Sequence, residues 1–245
     1  MIAIIGGSGL SKLANLEVTS RKVARTPYGE PSGPLTIGRI GGREVVFLAR
    51  HGYGHTVAPH EVNYRANLWA LKDHGIDEIV SIASVGAIRR DLVPGVLMLP
   101  DQIIDYTWGR RSTFFEGADA PVTHIDFTEP YTGTMRDRIR RAAEACGEPL
   151  LDGGVYGATQ GPRLETAAEI NRMERDGADM VGMTGMPEAV LAREIGLAYA
   201  AIAVVANFAA GRGDSAQGVS LERINAVLDE AMRRVRKVIE QLVAS

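Results

Sequence analysis

Met1-Ile2-Ala3-Ile4-Ile5-Gly6-Gly7-Ser8-Gly9-Leu10 opens the chain. A short apolar run favouring extended backbone passes directly into glycines and a serine, which reads as a buried first strand closed by a tight turn. Small residues in such a turn let backbone N–H groups and the Ser8 hydroxyl converge on an anion. A purely structural turn is the competing reading. The segment lacks the full spacing of a dinucleotide fingerprint and the Gly-Lys-Ser/Thr of a nucleotide-triphosphate loop, so neither of those ligands is favoured. It also lacks a basic n-region and a cleavage site, so it is expected to be a strand and not a signal peptide.

Outward from this strand, apolar runs alternate with amphipathic helical stretches. Leu35 to Ile40 and Arg43 to Ala49 flank Gly41-Gly42, a hairpin signal that makes the sheet mixed. A helix is predicted from about Val62 to His74. Further strands are predicted over Glu78 to Ser84, Val96 to Leu99, Gly154 to Ala158 and Tyr199 to Ala206, the apolar ones buried on both faces. Thr166-Ala167-Ala168-Glu169 has capping-box spacing, so a helix should run from there to Gly177, with Glu165 at its entrance. The last helix should start near Ser220. Leu221, Ile224, Leu228, Ala231, Val235, Val238 and Leu242 then form one apolar stripe facing a core. The expected architecture is a single α/β domain over residues 1–245, a mixed twisted β-sheet flanked by helices.

Bulk properties narrow the function. The 45% hydrophobic and 23% charged content excludes disorder, and a formal net charge of −3 provides no basic surplus to attract nucleic acid or an anionic membrane. No apolar run approaches the ~20 residues that span a bilayer. The single cysteine, Cys146, excludes an internal disulfide framework and fits a reducing, cytoplasmic setting.

Several polar residues fall at predicted strand ends, where α/β sheets gather ligands. Arg50-His51-Gly52 follows one strand, offering a planar cationic fork and an imidazole donor suited to phosphate. A surface arginine and a satisfied histidine are the alternative. His51, His55 and His60 could suggest a metal, but the segment has no His-Glu-x-x-His pattern and no nearby cysteine, so none is expected. Ala83-Ser84-Val85-Gly86 closes the next strand and can present main-chain N–H groups to the same anion. Gly182-Met183-Thr184 closes another, before Pro187 starts a helix. Asn207 ends the last strand, and a buried amide there requires partners that a ligand can supply.

Taken together, Gly6-Gly7-Ser8-Gly9, Ala49-Arg50-His51-Gly52, Gly161-Pro162-Arg163-Leu164-Glu165, Met183-Thr184 and Pro187-Glu188 resemble, in order and spacing, the trimeric purine nucleoside phosphorylase and methylthioadenosine phosphorylase family. The resemblance runs from first strand to last helix. It implies a phosphorylase-type fold, a homotrimer, and attack of inorganic phosphate on the anomeric carbon of a nucleoside, with no metal or organic cofactor. Ser8, Arg50, His51, the Ala83-Ser84 turn and Thr184 correspond to the family's phosphate site, and Met183 to the residue against the ribose. Asn207 corresponds to the group near purine N7, and cleavage needs such a group because negative charge builds on the departing base.

Departures from the family pattern bear on specificity. Methylthioadenosine phosphorylases carry aspartates where this chain has Asn207 and Ala209. A neutral amide can donate to a 6-oxo group while its carbonyl accepts from protonated N7. Glu165 matches the purine-binding glutamate of 6-oxopurine phosphorylases; its carboxylate accepts from N1–H of a 6-oxopurine but meets a lone pair on adenine. A helix-entrance glutamate is the alternative reading. Leu221, with Val219 and Ile224 nearby, stands where ordinary inosine phosphorylases place a histidine for the 5′-hydroxyl, so an apolar wall for a methylthio group is expected. Leu164 replaces the usual stacking aromatic, which weakens the expected grip on the base. His124 matches a loop that in the family reaches a neighbouring subunit's sugar site, with a plain surface histidine as the alternative. The combination predicts S-methyl-5′-thioinosine as substrate. Inosine or guanosine, methylthioadenosine, and a catalytically silent nucleoside-binding protein are the rival expectations.

Overall fold

The computed structural model describes residues 1–10, 13–117 and 120–245. Its centre is β5 (Glu78–Ala87), a ten-residue strand. The first half of β5 pairs in parallel with β1 (Ile2–Gly6), from Ile2 opposite Glu78 to Ile5 opposite Ser81. On its other side β5 pairs in parallel with β11 (Ala198–Phe208) along almost its whole length. β1 in turn pairs with β4 (Arg43–Ala49), which closes a hairpin with β3 (Leu35–Ile40), itself flanked by β2 (Glu17–Lys22). The hairpin turn is the predicted one: Gly41 and Gly42 have φ of 55° and 80°, a region other residues enter only with strain.

Beyond Ser81 the sheet forks. β10 (Met180–Gly182) joins β5 antiparallel only at Gly86 and Ala87, so among the described residues 82–85 have no strand partner on that edge. β10 continues in parallel to β9 (Val155–Ala158), and β9 to β7 (Gln102–Asp105). β6 (Leu97–Leu99) links β11 to β8 (Leu150–Asp152).

Alternate residues of the central strands serve two cores, as a period of two demands. Ala3 and Ile5 pack with Leu68 and Leu71 of α1 (Tyr64–Asp73) and Leu191 of α4 (Gly185–Glu194). Ile2 and Ile4 lie in the opposite core with Ile139 of α2 (Gly133–Ala145) and Leu228, Val235 and Leu242 of α5 (Leu221–Ala244). α3 (Ala167–Asp176) begins with the predicted capping box, Thr166 and Glu169 each accepting from the other's backbone N–H, and ends at Gly177 with φ 95°.

Three expectations need correction. Glu78 to Ser84 extends to Ala87, because β5 exchanges β1 for β10 on one edge, and Tyr199 to Ala206 extends to Phe208, because β11 stays paired with β5 across a bulge. Asn207 therefore lies within β11, at a β-bulge between Val205 and Asn207. The stripe of α5 does face a core from Leu228 to Leu242, but Leu221 is 67% exposed, since the first helical turn borders an open cavity and not the core.

Candidate active site

The fork in the sheet is a cavity of about 690 Å³, and four strand ends empty into it. β1 and β4 finish in register, Gly6 opposite Ala49, so the Ser8 turn and Arg50-His51 emerge side by side. β9 and β10 likewise finish together, Ala158 opposite Gly182, sending the 159–165 loop and Met183-Thr184 to the facing wall. Ala83 and Ser84 of the unpaired stretch form the floor, and the bulge in β11 turns Asn207 into the same space. A bulge re-aims a side chain that regular pleating would send elsewhere.

Ser8, Arg50, His51, Ala83, Ser84, Leu164, Glu165, Met183, Thr184, Asn207, Ala209, Val219, Leu221 and Ile224 all line this cavity. His124 does not; it lies exposed outside it. The first turn closes with Leu10 N–H donating to the Gly7 carbonyl at 3.0 Å. A Cβ on Gly7 would come within 2.5 Å of the Ile82 carbonyl and 2.9 Å of Arg50 Nη1, so only glycine permits the turn to touch the β5 edge.

Arg50 is fully buried, and its fork does not point into the cavity as expected. Nε and Nη2 grip the Glu188 carboxylate at 2.7 and 2.9 Å, Nη2 also donates to Ser81 Oγ, and Nη1 donates to the Ile82 carbonyl at 3.0 Å. Burial works to lift the Glu188 carboxyl, but the adjacent guanidinium and its hydrogen bonds outweigh it and hold the group below its ordinary range. Ser81 and Tyr199 hydroxyls complete the shell around Oε1 at 2.6 and 2.8 Å. The bidentate face of Arg50 is therefore committed to Glu188, and Nη1 is the nitrogen left with an N–H beyond its single bond.

His51 also differs from expectation. Its Nδ1 lies 2.8 Å from the Val57 carbonyl, which can only accept, so Nδ1 carries the proton. Burial, with a smaller push from the Arg50 charge, lowers its pKa from 6.5 to about 4. The neutral ring presents Nε2 as an acceptor.

On the facing wall, Thr159 Oγ1 donates to Glu165 Oε1 at 2.7 Å, fixing a half-buried carboxylate at the rim. Asn207 Nδ2 donates to the Phe208 carbonyl at 2.6 Å. Its second N–H and its Oδ1 make no hydrogen bond among the described residues. Thr184 is 8% exposed and makes no capping bond to α4, leaving its hydroxyl at the cavity surface. Glu188, Ser81 and Thr159 were not singled out as functional from sequence. Glu188 does stand in the Pro187-Glu188 pair, but its partner lies 138 residues away.

The sequence profile described as "Phosphorylase superfamily" matches residues 1–244. The chain belongs to that superfamily. Among its relatives, a probable S-methyl-5′-thioinosine phosphorylase from Xanthomonas campestris is 52% identical over 241 residues, covering 98% of this chain and 96% of the relative. A 6-oxopurine nucleoside phosphorylase from Pyrococcus furiosus is 46% identical over 215 residues, covering 86% of this chain and 80% of the relative. Methylthioadenosine phosphorylase from Schistosoma mansoni in complex with adenine superposes with a TM-score of 0.94 at 34% identity, covering 99% of this chain and 90% of that one. The mixed sheet of this superfamily member and its forked cavity agree with the fold expected from the motifs. No helix among the described residues is long and apolar enough to cross a membrane.

Proposed function

We propose that this phosphorylase cleaves S-methyl-5′-thioinosine with inorganic phosphate, giving hypoxanthine and 5-methylthioribose 1-phosphate. The observation that carries the reading is one cavity that holds Glu165, Asn207, Met183 and Thr184 together with Ser8 and His51 on the facing side. Phosphate is assigned to Ser8, His51, Ala83-Ser84 and Thr184, with the Nη1 side of Arg50 supplying positive charge. A phosphate oxygen forms the new bond to C1′ as the C1′–N9 bond breaks, and the bonding electrons pass to the purine. The proton carried by hydrogen phosphate balances the one gained at N7. Met183 lies against the sugar.

Asn207 is the catalytic residue of this scheme. Its Oδ1 accepts from N7–H of the departing base, and its unpaired N–H donates to O6. Glu165 Oε2 accepts from N1–H while Thr159 occupies Oε1. Adenine would present a lone pair to that carboxylate, leaving a charge without a donor. The names of the Xanthomonas and Pyrococcus relatives support the 6-oxopurine choice. Val219, Leu221 and Ile224 form the apolar lip assigned to the methylthio group.

The exposure of Leu221 favours a second reading, in which 5′-hydroxyl nucleosides such as inosine also turn over, because the lip does not enclose the 5′ position. We assign the protein to the cytoplasm as a homotrimer in which the loop bearing exposed His124 reaches a neighbour's sugar site. Trp108 and Val122, 72% and 83% exposed on the same stretch, supply apolar surface for that contact. The nucleoside and phosphate are the small-molecule partners, with no nucleic acid, membrane, metal or organic cofactor required. Purine release with and without phosphate, before and after dialysis against a chelator, tests the scheme: release should need phosphate and survive dialysis. Phosphate-independent release would indicate a hydrolase.

A further inference from the structure

β9 and β10 stop pairing at Ala158 and Gly182, yet the residues assigned to base and sugar lie just past those ends, on segments with no ladder to hold them. One backbone bond continues the register, from Thr159 N–H to the Gly182 carbonyl at 2.8 Å. The Thr159 hydroxyl also reaches the Gly182 carbonyl at 3.2 Å, and Thr184 N–H the Tyr156 hydroxyl at 3.3 Å; further out the joint is made by Arg110, which follows β7 and stands outside the cavity lining. Its Nη1 donates to the carbonyls of Met183 and Met186 at 2.8 and 2.6 Å. Its Nη2 donates to the carbonyls of Thr159 and Gln160 at 3.1 and 2.8 Å, and its Nε to Gln160 Oε1 at 3.2 Å. All five N–H groups of the guanidinium are thereby used. The Tyr64 ring lies 5.6 Å away, and among the described residues no carboxylate pairs with the cation.

A cation whose two terminal nitrogens donate to main-chain carbonyls of two separate segments acts as a bracket between them. One segment leads through Gly161, against which Met183 Sδ packs so closely that a Cβ would fall 2.5 Å from it, to Leu164 and Glu165. The other carries Met183 and Thr184.

We propose that Arg110 is a positioning residue for nucleoside recognition: by tying the Thr159–Gln160 segment to Met183–Met186, it sets the distance between Glu165 and the sugar wall. This rests on the phosphorolysis reading above. Lysine keeps the charge but offers a compact head that cannot serve four carbonyls at once. In R110K and R110M, KM for the 6-oxopurine nucleoside should rise about 10-fold or more, and the 6-oxo over 6-amino ratio of kcat/KM should narrow by a similar factor. KM for phosphate should move less than about threefold, because of the residues assigned to it only Thr184 rides on the bracketed segment, while Ser8, His51 and Ala83-Ser84 stand on other strands. Wild-type kinetics in R110K would overturn the proposal. So would equal loss toward phosphate and nucleoside with unchanged base selectivity, the signature of a merely structural role. Should neither variant fold, Gln160→Leu removes one partner of the bracket and must narrow the same ratio or overturn the proposal. Wild-type protein run in parallel separates the two ideas: if it releases no purine with phosphate the function itself fails, whereas an active wild type with an unaltered R110K sinks Arg110 alone.

Discussion

The two walls of the cavity are built differently. The wall assigned to phosphate grows out of the core: Arg50 and Glu188 are fully buried and both bond Ser81 of β5, and His51 is 6% exposed and held by the Val57 carbonyl. The wall assigned to the nucleoside is built from a loop, a bulge and the first turn of a helix, with Leu164 41% and Leu221 67% exposed. Chemistry common to a phosphorylase can thus be held by residues that folding itself requires. Specificity is left to residues that can change without disturbing the sheet.

The largest effect should come from breaking the buried wall. Glu188→Leu leaves the Arg50 cation without its partner and should cost about 3–5 kcal/mol of stability, read as a shift in the urea midpoint, with phosphorolysis lost alongside. A variant as stable as wild type would mean that the pair is not what orders this wall. Asn207→Ala, on the open wall, should instead leave the fold intact and lower kcat by about 10²–10³. If kcat held while only KM rose, Asn207 would be a binding group and not the catalytic one.

A pH titration distinguishes the walls again. His51 has a folded-state pKa of about 4 against an ordinary 6.5, so between those values the unfolded chain binds more protons. Stability should therefore be complete above pH 6.5 and decline as pH falls toward 4, by up to about 3 kcal/mol. His51→Gln should remove that part of the decline. An unchanged urea-midpoint profile in the variant would contradict a neutral, Nδ1-protonated His51.

Those predictions separate what the sequence made legible from what it did not. Local signals were readable: the Gly41-Gly42 turn, the Thr166–Glu169 box and the Leu228 to Leu242 stripe each specify their geometry within a few residues. The convergence of Ser8, His51 and Asn207 was readable because strand ends in such sheets gather on one side, whereas Glu165, at a helix entrance, joined them only through the family resemblance. The partner of Arg50 was not, since a choice between Glu188 and a ligand depends on how strands far apart in sequence come into register. Nor was the Asn207 bulge, a shift in the register of β11 against β5 that no residue type marks. β2 was missed for another reason: Glu17 to Lys22 is exposed throughout, so no apolar alternation marks it. Arg110 carried no motif, because its partners are carbonyls that every residue possesses.

Smaller effects belong to the open wall. Leu164→Phe should restore a stacking surface for the base and lower nucleoside KM by a factor corresponding to about 0.5–1.5 kcal/mol. No change would mean that residue 164 does not cover the purine. Leu221→Ser should cost under about 1 kcal/mol in selectivity for 5′-methylthio over 5′-hydroxyl, because a side chain already two-thirds exposed has little apolar area left to bury. A loss of 100-fold would show a lip that closes over the sulfur.

The most direct measurement is the initial rate of purine release from S-methyl-5′-thioinosine, inosine, guanosine and methylthioadenosine, side by side, at saturating phosphate. Recognition of N1–H and O6 by Glu165 and Asn207 predicts methylthioadenosine slowest, and the apolar lip of Val219, Leu221 and Ile224 places S-methyl-5′-thioinosine ahead of inosine and guanosine. Methylthioadenosine cleaved fastest would contradict it.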